Sequence, residues 1–593
     1  MKQYILAFLV LTSINILSQS EWTPSEEKFL PNYMTDEEMA LMQLYVKNPP
    51  PYEILDPDPP PTPVRTMAEW EELSAVQITW TAQLVILRQI VDYAQEECLV
   101  YIICSDSNSV KSYLTTYSIP LVNLKFLITP FNSIWCRDYG PWTVYTNRVD
   151  TLRIIDWIYN RPTRPQDNLM PVFIANYMGV PIHQTINAPN DLVNTGGNFM
   201  VDGHGTAFAS KLILSENGPG NPYGVSVKTE PQINGIMNSY MGVSRYIKMD
   251  VLPYDQIHHI DMHMKLLDEE TLLVGQYPPG VADGPQIELN LQYVLNNFQT
   301  CFGKQYKVVR IPMPPHNGNY PPVGNYRTYT NSIFVNKTVI VPTYEYRYDT
   351  TALRIYREAL PGYNVVGIDC NAIIPSLGAI HCIGKEIGVM EPVFISHSAI
   401  RNTNNTTQPY EVKAFIKHKS GIASARMYWS LDTANGFTQV NMTNIGDTFR
   451  ANIPAQPLGT KVYYYIWANS ISGKTVTKPL TASRGNIQFI VTNTSGITNL
   501  HTGIPEKFSL NQNYPNPFNP STSIKFNIPK VSNVNLTVYD IAGREIAVLF
   551  NQSLDAGTYK FEWNPPSNLS SGVYFYRLHS GNNYQVRKLI LIK

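Results

Sequence analysis

Between residues 63 and 392 two hydrophobic patterns take turns along the chain. Runs such as CLVYIIC (98–104) and LKFLITP (124–130) are continuously apolar and rich in branched and aromatic residues, as buried strands are. TAQLVILRQIVDYAQEE (81–97) instead spaces its apolar positions for one face of a helix. Strands alternating with helices predict an α/β domain, and one longer than a single core sustains, so it is expected to be built from repeated units. Beyond residue 392 the helical pattern stops. YEVKAFIKHKS, RMYWSLD, FRANIP and KVYYYIWANS are short alternating runs between polar turns, which predicts an Ig-like β-sandwich over 393–492. After a linker at 493–507, alternation resumes in NLTVYDIAGRE and GVYFYRLHS, predicting a small β-sandwich over 508–593.

The N-terminus adds a different pattern. MKQYILAFLVLTSINILSQS couples Lys2 to an apolar run and then small polar residues, so residues 1–20 are expected to be a signal peptide, the run being shorter than a bilayer requires. Residues 21–62 turn acidic and then proline-dense, which predicts an extended strap or linker. No later segment is apolar for long enough to span a membrane. With 45 Lys+Arg against 46 Asp+Glu there is no cationic surplus for phosphates, and nucleic acid is not an expected partner. Six cysteines are too few for a disulfide scaffold and lack the paired spacing of a zinc site. Export still permits one bridge, and Cys370 with Cys382 is the natural pair.

Four stretches carry candidate chemistry. SIWCRDYGPW (133–142) reads as a strand ending in a rigid turn that presents Asp138. In YDQIHHIDMHMKLLDEETLLVG an extended backbone would put His259 and Asp261 on one face, where an imidazole beside a carboxylate can exchange protons. His258 and His263 raise the question of a metal, but H-E-x-x-H is absent and His259 meets His263 only on a helix. NYRTYTNSIFVNKTVIVPTY places Asn331 at the start of a strand pattern, and GAIHCIGKEIG carries Cys382 beside His381.

Taken in order, WCRDYGPW, NTGGNFMVDGHGTA, HHIDMHMK, YTNSIFVNKTVIVP and GAIHCIGKE resemble the guanidine-modifying pentein superfamily, in its agmatine deiminase and bacterial peptidylarginine deiminase branch. The resemblance covers about residues 60 to 390 and implies a five-bladed α/β propeller with a central site. It assigns Asp138 and Asp261 to guanidinium binding, His259 to acid–base work, Cys382 to nucleophilic attack and Asn331 to the pocket. Trp135 and Asn198 are placed near the substrate. No metal and no organic cofactor are implied. The Tyr-Pro-Asn-Pro-Phe-Asn-Pro turn (514–520) and the terminal RKLILIK resemble the type A C-terminal sorting domain of type IX secretion, which implies that machinery as a partner and a secreted or outer-membrane surface location.

The chemistry so implied is physically coherent. Two carboxylates can hold a planar, forked cation still, while its resonance makes it a poor electrophile that only a thiolate attacks readily. The expected activity is deimination of arginine in peptides or proteins, since export brings the chain among them. Alternatives are an exported agmatine deiminase, an amidinotransferase sharing the covalent step, and a non-catalytic secreted adhesion protein. Peptidylarginine deiminases of this kind use an Arg-x-Arg pair for a C-terminal carboxylate. Here WIYNRPTRPQDN offers Arg161 and Arg164, three apart, which a strand would turn to opposite faces unless Pro162 bends it.

Overall fold

In the computed structural model the described residues are 29–48, 55–492, 497–501 and 505–592, apart from 531, 555, 564, 566–568 and 582. The expected signal peptide lies outside them, as do parts of the proline-rich segment and of the linker.

One unit repeats four times along the chain: an antiparallel hairpin, a crossover containing helix, and a third strand parallel to the second. Trp142–Thr146 pairs with Leu152–Tyr159, which pairs in parallel with Ile182–Thr185. Met200–Val201, Thr206–Ser210 and Arg245–Met249 form the next unit. Met264–Asp268, Thr271–Gln276 and Lys307–Pro312 form the third. Ile333–Val335, Thr338–Thr343 and Asn364–Asp369 form the fourth. A parallel neighbour needs a long crossover, and a helix such as Tyr346–Ala359 supplies it.

The fifth unit is assembled from both ends of the domain. Lys385–Gly388 lies antiparallel to Leu73–Thr79, which runs parallel to Leu99–Cys104 through the helix Leu84–Gln95. That helix buries Ile86, Leu87, Ile90, Val91 and Ala94 on one stripe, as its spacing predicts. Each fully buried aliphatic side chain of this kind contributes about 1.5–3 kcal/mol. The late strand therefore locks the early one, and five blades close into a pentein propeller.

Each blade's first strand is entered through a short turn, and the five turns meet at the centre. They are Cys136–Tyr139, Gly196–Asn198, Ile260–Met262, the stretch 328–332 and His381–Ile383. Neighbouring turns are bonded all the way round. Gly197 N–H donates to Asp138 Oδ1 (3.1 Å), and Thr195 Oγ1 lies 3.4 Å from His259 Nε2. Thr330 Oγ1 donates to the Asp261 carbonyl (2.8 Å), His381 N–H to the Asn331 carbonyl (3.1 Å), and Arg137 Nε to the His381 carbonyl (3.2 Å).

Two local expectations are corrected by these turns. Asp138 stands in one helical turn ahead of the strand Trp142–Thr146, not at the end of a strand. His259 is extended but Asp261 sits in a 3-10 turn, so the pair converges through a bend rather than through strand alternation.

Behind the propeller, two sheets face each other over 394–490. One contains Tyr410–Lys417, in which Tyr410, Val412, Ala414 and Ile416 are buried in alternation. The other centres on Lys461–Ser470, burying Val462, Tyr464, Ile466 and Ala468. Lys478 Nζ to Glu269 (2.6 Å) and Arg401 to Glu270 (3.0 Å) tie this sandwich to the propeller. A second sandwich follows, with sheets around Thr522–Ile528 and Ser532–Tyr539. Among the described residues no helix is long and apolar enough to cross a membrane.

Candidate active site

Cys382 is fully buried where the five turns meet. Its Sγ accepts a hydrogen bond from Asn331 Nδ2 (3.2 Å) and lies 3.7 Å from Asp261 Oδ2. Asn331 is itself braced, because its Oδ1 accepts from the N–H groups of Ala379 and His381, both at 3.1 Å. The amide therefore points its NH2 at the Cys382 sulfur, with the Met262 sulfur as a longer second partner at 3.7 Å. All six cysteines are free, so Cys370 and Cys382 form no bridge.

Two glycines make the approach possible. A Cβ on Gly378 would lie 2.3 Å from the Trp135 ring and 3.1 Å from Cys382 Cβ, so only glycine lets that indole pack beside the thiol. A Cβ on Gly197 would lie 2.3 Å from His259 Nδ1 and 3.1 Å from Asp138 Oδ1. The Gly-Gly of NTGGNF thus clears room for the imidazole and carboxylate, 3.6 Å apart.

Among the groups around the sulfur, several polar atoms are left without partners. Asp138 Oδ2, Asp261 Oδ1 and His259 Nδ1 are all buried and make no hydrogen bond within the protein. Unpaired buried oxygens are costly, and a site that keeps two beside an unpaired ring nitrogen is shaped for a cationic donor from outside. Charges follow the same logic. Burial, followed by the Asp261 and Asp138 carboxylates, pushes the Cys382 thiol well above its ordinary range, against the opposing Asn331 bond. Burial also pushes His259 down, against those two carboxylates. Both shifts favour the uncharged forms, thiol and neutral imidazole. Asp261 stays below its ordinary value: burial raises it, but the His381 bond and charge, then His259 and Arg137, outweigh that.

Beneath the sulfur the polar groups are densely paired. His381 Nδ1 lies 2.7 Å from Asp261 Oδ2, and its Nε2 lies 2.8 Å from Glu69 Oε1. Glu69 also takes Lys265 Nζ at 2.5 Å, and Arg137 pairs with Glu386 at 2.6 Å. Of these, His381 was visible only as the neighbour of Cys382, and Glu69 stood unremarked in AEWEEL.

Other sequence candidates have occupied side chains. Trp135 Nε1 donates to the Leu30 carbonyl (2.8 Å), and the Asn198 amide is paired with the Ser210 backbone, accepting at 2.8 Å and donating at 3.4 Å. Arg161 and Arg164 follow the strand Leu152–Tyr159, so strand alternation does not apply and both guanidiniums reach the same partner. That partner is the segment 29–48, which crosses the site as a strap. Arg161 donates twice to the Asn32 carbonyl (3.0 and 2.8 Å), and Arg164 grips the Glu38 carboxylate through Nε (2.8 Å) and Nη2 (3.0 Å). Asn32 in turn bonds the Ser376 and Leu377 backbone, on the loop leading to Cys382. Beside the strap opens a cleft of about 620 Å3 lined by Tyr33, Met39, Arg161, Glu216, Tyr223 and His258. Among the described residues no group of three or more His, Cys, Asp or Glu is arranged to hold a metal ion.

A closed five-blade ring around a buried thiol, two carboxylates and an imidazole defines a guanidine-modifying hydrolase of the pentein class. The chain belongs to the Porphyromonas-type peptidyl-arginine deiminase family, whose model matches residues 65–387. A second model, the secretion system C-terminal sorting domain, matches residues 512–593 and marks the chain for secretion or cell-surface attachment. A Legionella pneumophila protein named provisionally as an agmatine deiminase is 25% identical over 276 residues, 44% of this chain and 75% of its own length. A Vibrio parahaemolyticus protein of the same provisional name is 26% identical over 294 residues, 45% and 78% of the two chains. The solved agmatine deiminase of C. jejuni is 20% identical, with a TM-score of 0.45 over 55% of this chain and 95% of its own.

Proposed function

We propose that this protein is an exported protein-arginine deiminase that converts peptidyl-arginine to citrulline and ammonia. The observation that carries the chemistry is the set of unpaired atoms, Asp138 Oδ2, Asp261 Oδ1 and His259 Nδ1, gathered around Cys382. A guanidinium bound there offers N–H donors to both carboxylates and holds its carbon over the sulfur. Its positive charge also offsets the two carboxylates that raise the thiol, so the substrate itself favours the thiolate. The thiol proton passes to neutral His259. Sγ then bonds to the guanidinium carbon, the C–N bond to one terminal nitrogen breaks, and His259 returns the proton to the departing ammonia. Water, giving a proton to His259, attacks the thiouronium. As the C–S bond breaks, the hydroxyl proton of the adduct passes to the sulfur and a neutral ureido group leaves, while the proton on His259 is released and taken up by the free ammonia as ammonium.

For peptide substrate over a small amine the support is the family match, the export signal and the open cleft that begins at Arg161. Agmatine is the second reading, favoured by the relatives' names and by Glu216 on the cleft wall, whose buried Oε2 is unpartnered and suits an ammonium. The exported chain, purified after secretion, is incubated with agmatine, an internal-arginine peptide and a C-terminal-arginine peptide while ammonia release and conversion of NH to O by mass are followed. Peptide turnover exceeding that of agmatine is expected. Turnover of agmatine alone would transfer the assignment to the second reading.

A further inference from the structure

His381 touches the Asp261 carboxylate at Oδ2, the oxygen other than the unpartnered Oδ1. Its two ring nitrogens lie 2.7 and 2.8 Å from oxygens of Asp261 and Glu69; the ring and Asp261 are buried, and Glu69 is partly so. A carboxylate oxygen only accepts, so a ring placed between two of them is satisfied on both sides only when both nitrogens donate. The ring then carries a positive charge. We propose that His381 is the positioning residue of this site: an imidazolium that locks Asp261 Oδ2 from beneath, so that Oδ1 alone faces the incoming guanidinium. The role rests on the deiminase reading above, because it is the guanidinium that Oδ1 receives.

The surroundings agree. Every charged group packed around the ring is accounted for. Asp261 and Glu69 face its nitrogens, Lys265 holds the far oxygen of Glu69 (2.5 Å), and Arg137 donates to the His381 carbonyl (3.2 Å) and lies 4.0 Å from Glu69. Arg137 is pinned in turn by Glu386 at 2.6 Å, and Glu386 by Lys385 at 2.5 Å. Glu69 cannot swing away from His381 while Lys265 grips it, and Asp261 cannot rotate while His381 grips it. The chain of contacts fixes a carboxylate plane from 196 residues' separation between Glu69 and Lys265. The backbone N–H of the same histidine is held by Asn331 Oδ1, which also turns the Asn331 amide toward the sulfur. One residue thereby registers the acid, the amide and the nucleophile next to it.

Two measurements test the role. Histidine labelled with 15N in the wild-type protein, with His381→Gln used to assign its signals, is expected to show both His381 ring nitrogens protonated at neutral pH. A singly protonated ring would overturn the proposal. Separately, agmatine and a C-terminal-arginine peptide are titrated calorimetrically into Cys382→Ala protein with and without His381→Gln. Glutamine keeps a donor for one carboxylate only, and the dissociation constant is expected to rise roughly 10- to 100-fold, the weight of one lost charged hydrogen bond. Unchanged binding would overturn the positioning role alone. Failure of the Cys382→Ala parent to bind either guanidine would overturn the deiminase reading itself. Should His381→Gln not fold, assignment passes to Glu69→Gln, which is expected to shift the Nε2 signal, and the wild-type spectrum decides.

Discussion

The two sides of Cys382 are built on opposite rules. Below the sulfur, His381, Glu69, Lys265, Arg137, Glu386 and Lys385 answer one another's charges at 2.5–2.8 Å. Above it, Asp138 Oδ2, Asp261 Oδ1 and His259 Nδ1 are buried with nothing to answer them. A folded chain leaves such atoms unmatched at a cost in stability, and the ion-paired floor helps to hold them apart. The difference separates structure from function more sharply than burial does, since both sides are largely out of solvent, Glu69 being the most open of these groups at 16%. It also says what each substitution should change: the upper side governs turnover and the lower side stability, with His381, where the two meet at Asp261, governing substrate binding as well.

The largest effect is expected at the boundary itself. Cys382→Ala should lower turnover by roughly 10⁴-fold or more, as loss of a covalent nucleophile does. The melting temperature should change little, because alanine leaves the floor intact. Residual activity near the wild-type level would remove Cys382 as nucleophile. The contrasting substitution is Arg137→Gln, which breaks the buried 2.6 Å pair with Glu386 and leaves that carboxylate to Lys385 alone; it should destabilise the fold by about 3–5 kcal/mol, read by urea denaturation. A loss of activity without a loss of stability would dissolve the distinction between the two sides.

The floor also carries a signature in acid. Burial raises Glu69 and Glu386, but His381 and Lys265 for the first, and Arg137 and Lys385 for the second, hold both below the ordinary value of 4.5. For a depressed acid the stabilisation is fully present above that unfolded value and is lost as the pH falls below it. Wild-type stability should therefore decline on acidification through this range, and Arg137→Gln should show a shallower decline. A parallel slope in both proteins would deny Arg137 its part in the network.

The upper side predicts a slow thiol. With burial and two carboxylates opposing ionisation, iodoacetamide should modify Cys382 in the substrate-free enzyme roughly tenfold or more slowly at neutral pH than a free cysteine, the rate climbing only well into the alkaline range. Asp138→Asn, which removes one of the two negative charges, should speed it. A thiol reactive at neutral pH without substrate would contradict the substrate-assisted ionisation proposed here.

What could be read from the sequence divides along the same line. The proposed nucleophile, imidazole and carboxylates lie in three of the five quoted motifs, and blade strands and helices announce themselves by period because each period reflects which face is buried. Asp138, Asp261 and Cys382 were legible as chemistry, yet their geometry was not: all three stand in short turns at blade entrances, which have no periodicity. The floor was less legible still. Glu69 finds its partners at Lys265 and His381, hundreds of positions away, and a single glutamate in AEWEEL reads as surface until the ring closes. Arg161 and Arg164 were judged by strand alternation, which fails because the strand stops at Tyr159.

The smallest expected effect concerns those two arginines and asks whether the upper side extends to them. Arg164 is held by the Glu38 carboxylate, and its Nη1 is buried without a partner. Burial raises Glu38, yet the bond and charge of Arg164 keep it below its ordinary value, so the strap presents a true carboxylate to that guanidinium. A peptide ending in arginine would present another. If Arg164 serves the substrate, the two carboxylates compete, and Glu38→Gln, which retains the carboxylate's shape but not its charge, should lower the KM for a C-terminal-arginine peptide by about three- to tenfold, the scale of a charged hydrogen bond weakened but not abolished. Agmatine, having no carboxylate, should show no such change. An equal shift for both substrates would mean that Glu38 acts by loosening the strap over the cleft. An unchanged or raised KM for the peptide would place Arg164 with the floor, as a clamp that holds the strap rather than a group that reads the substrate.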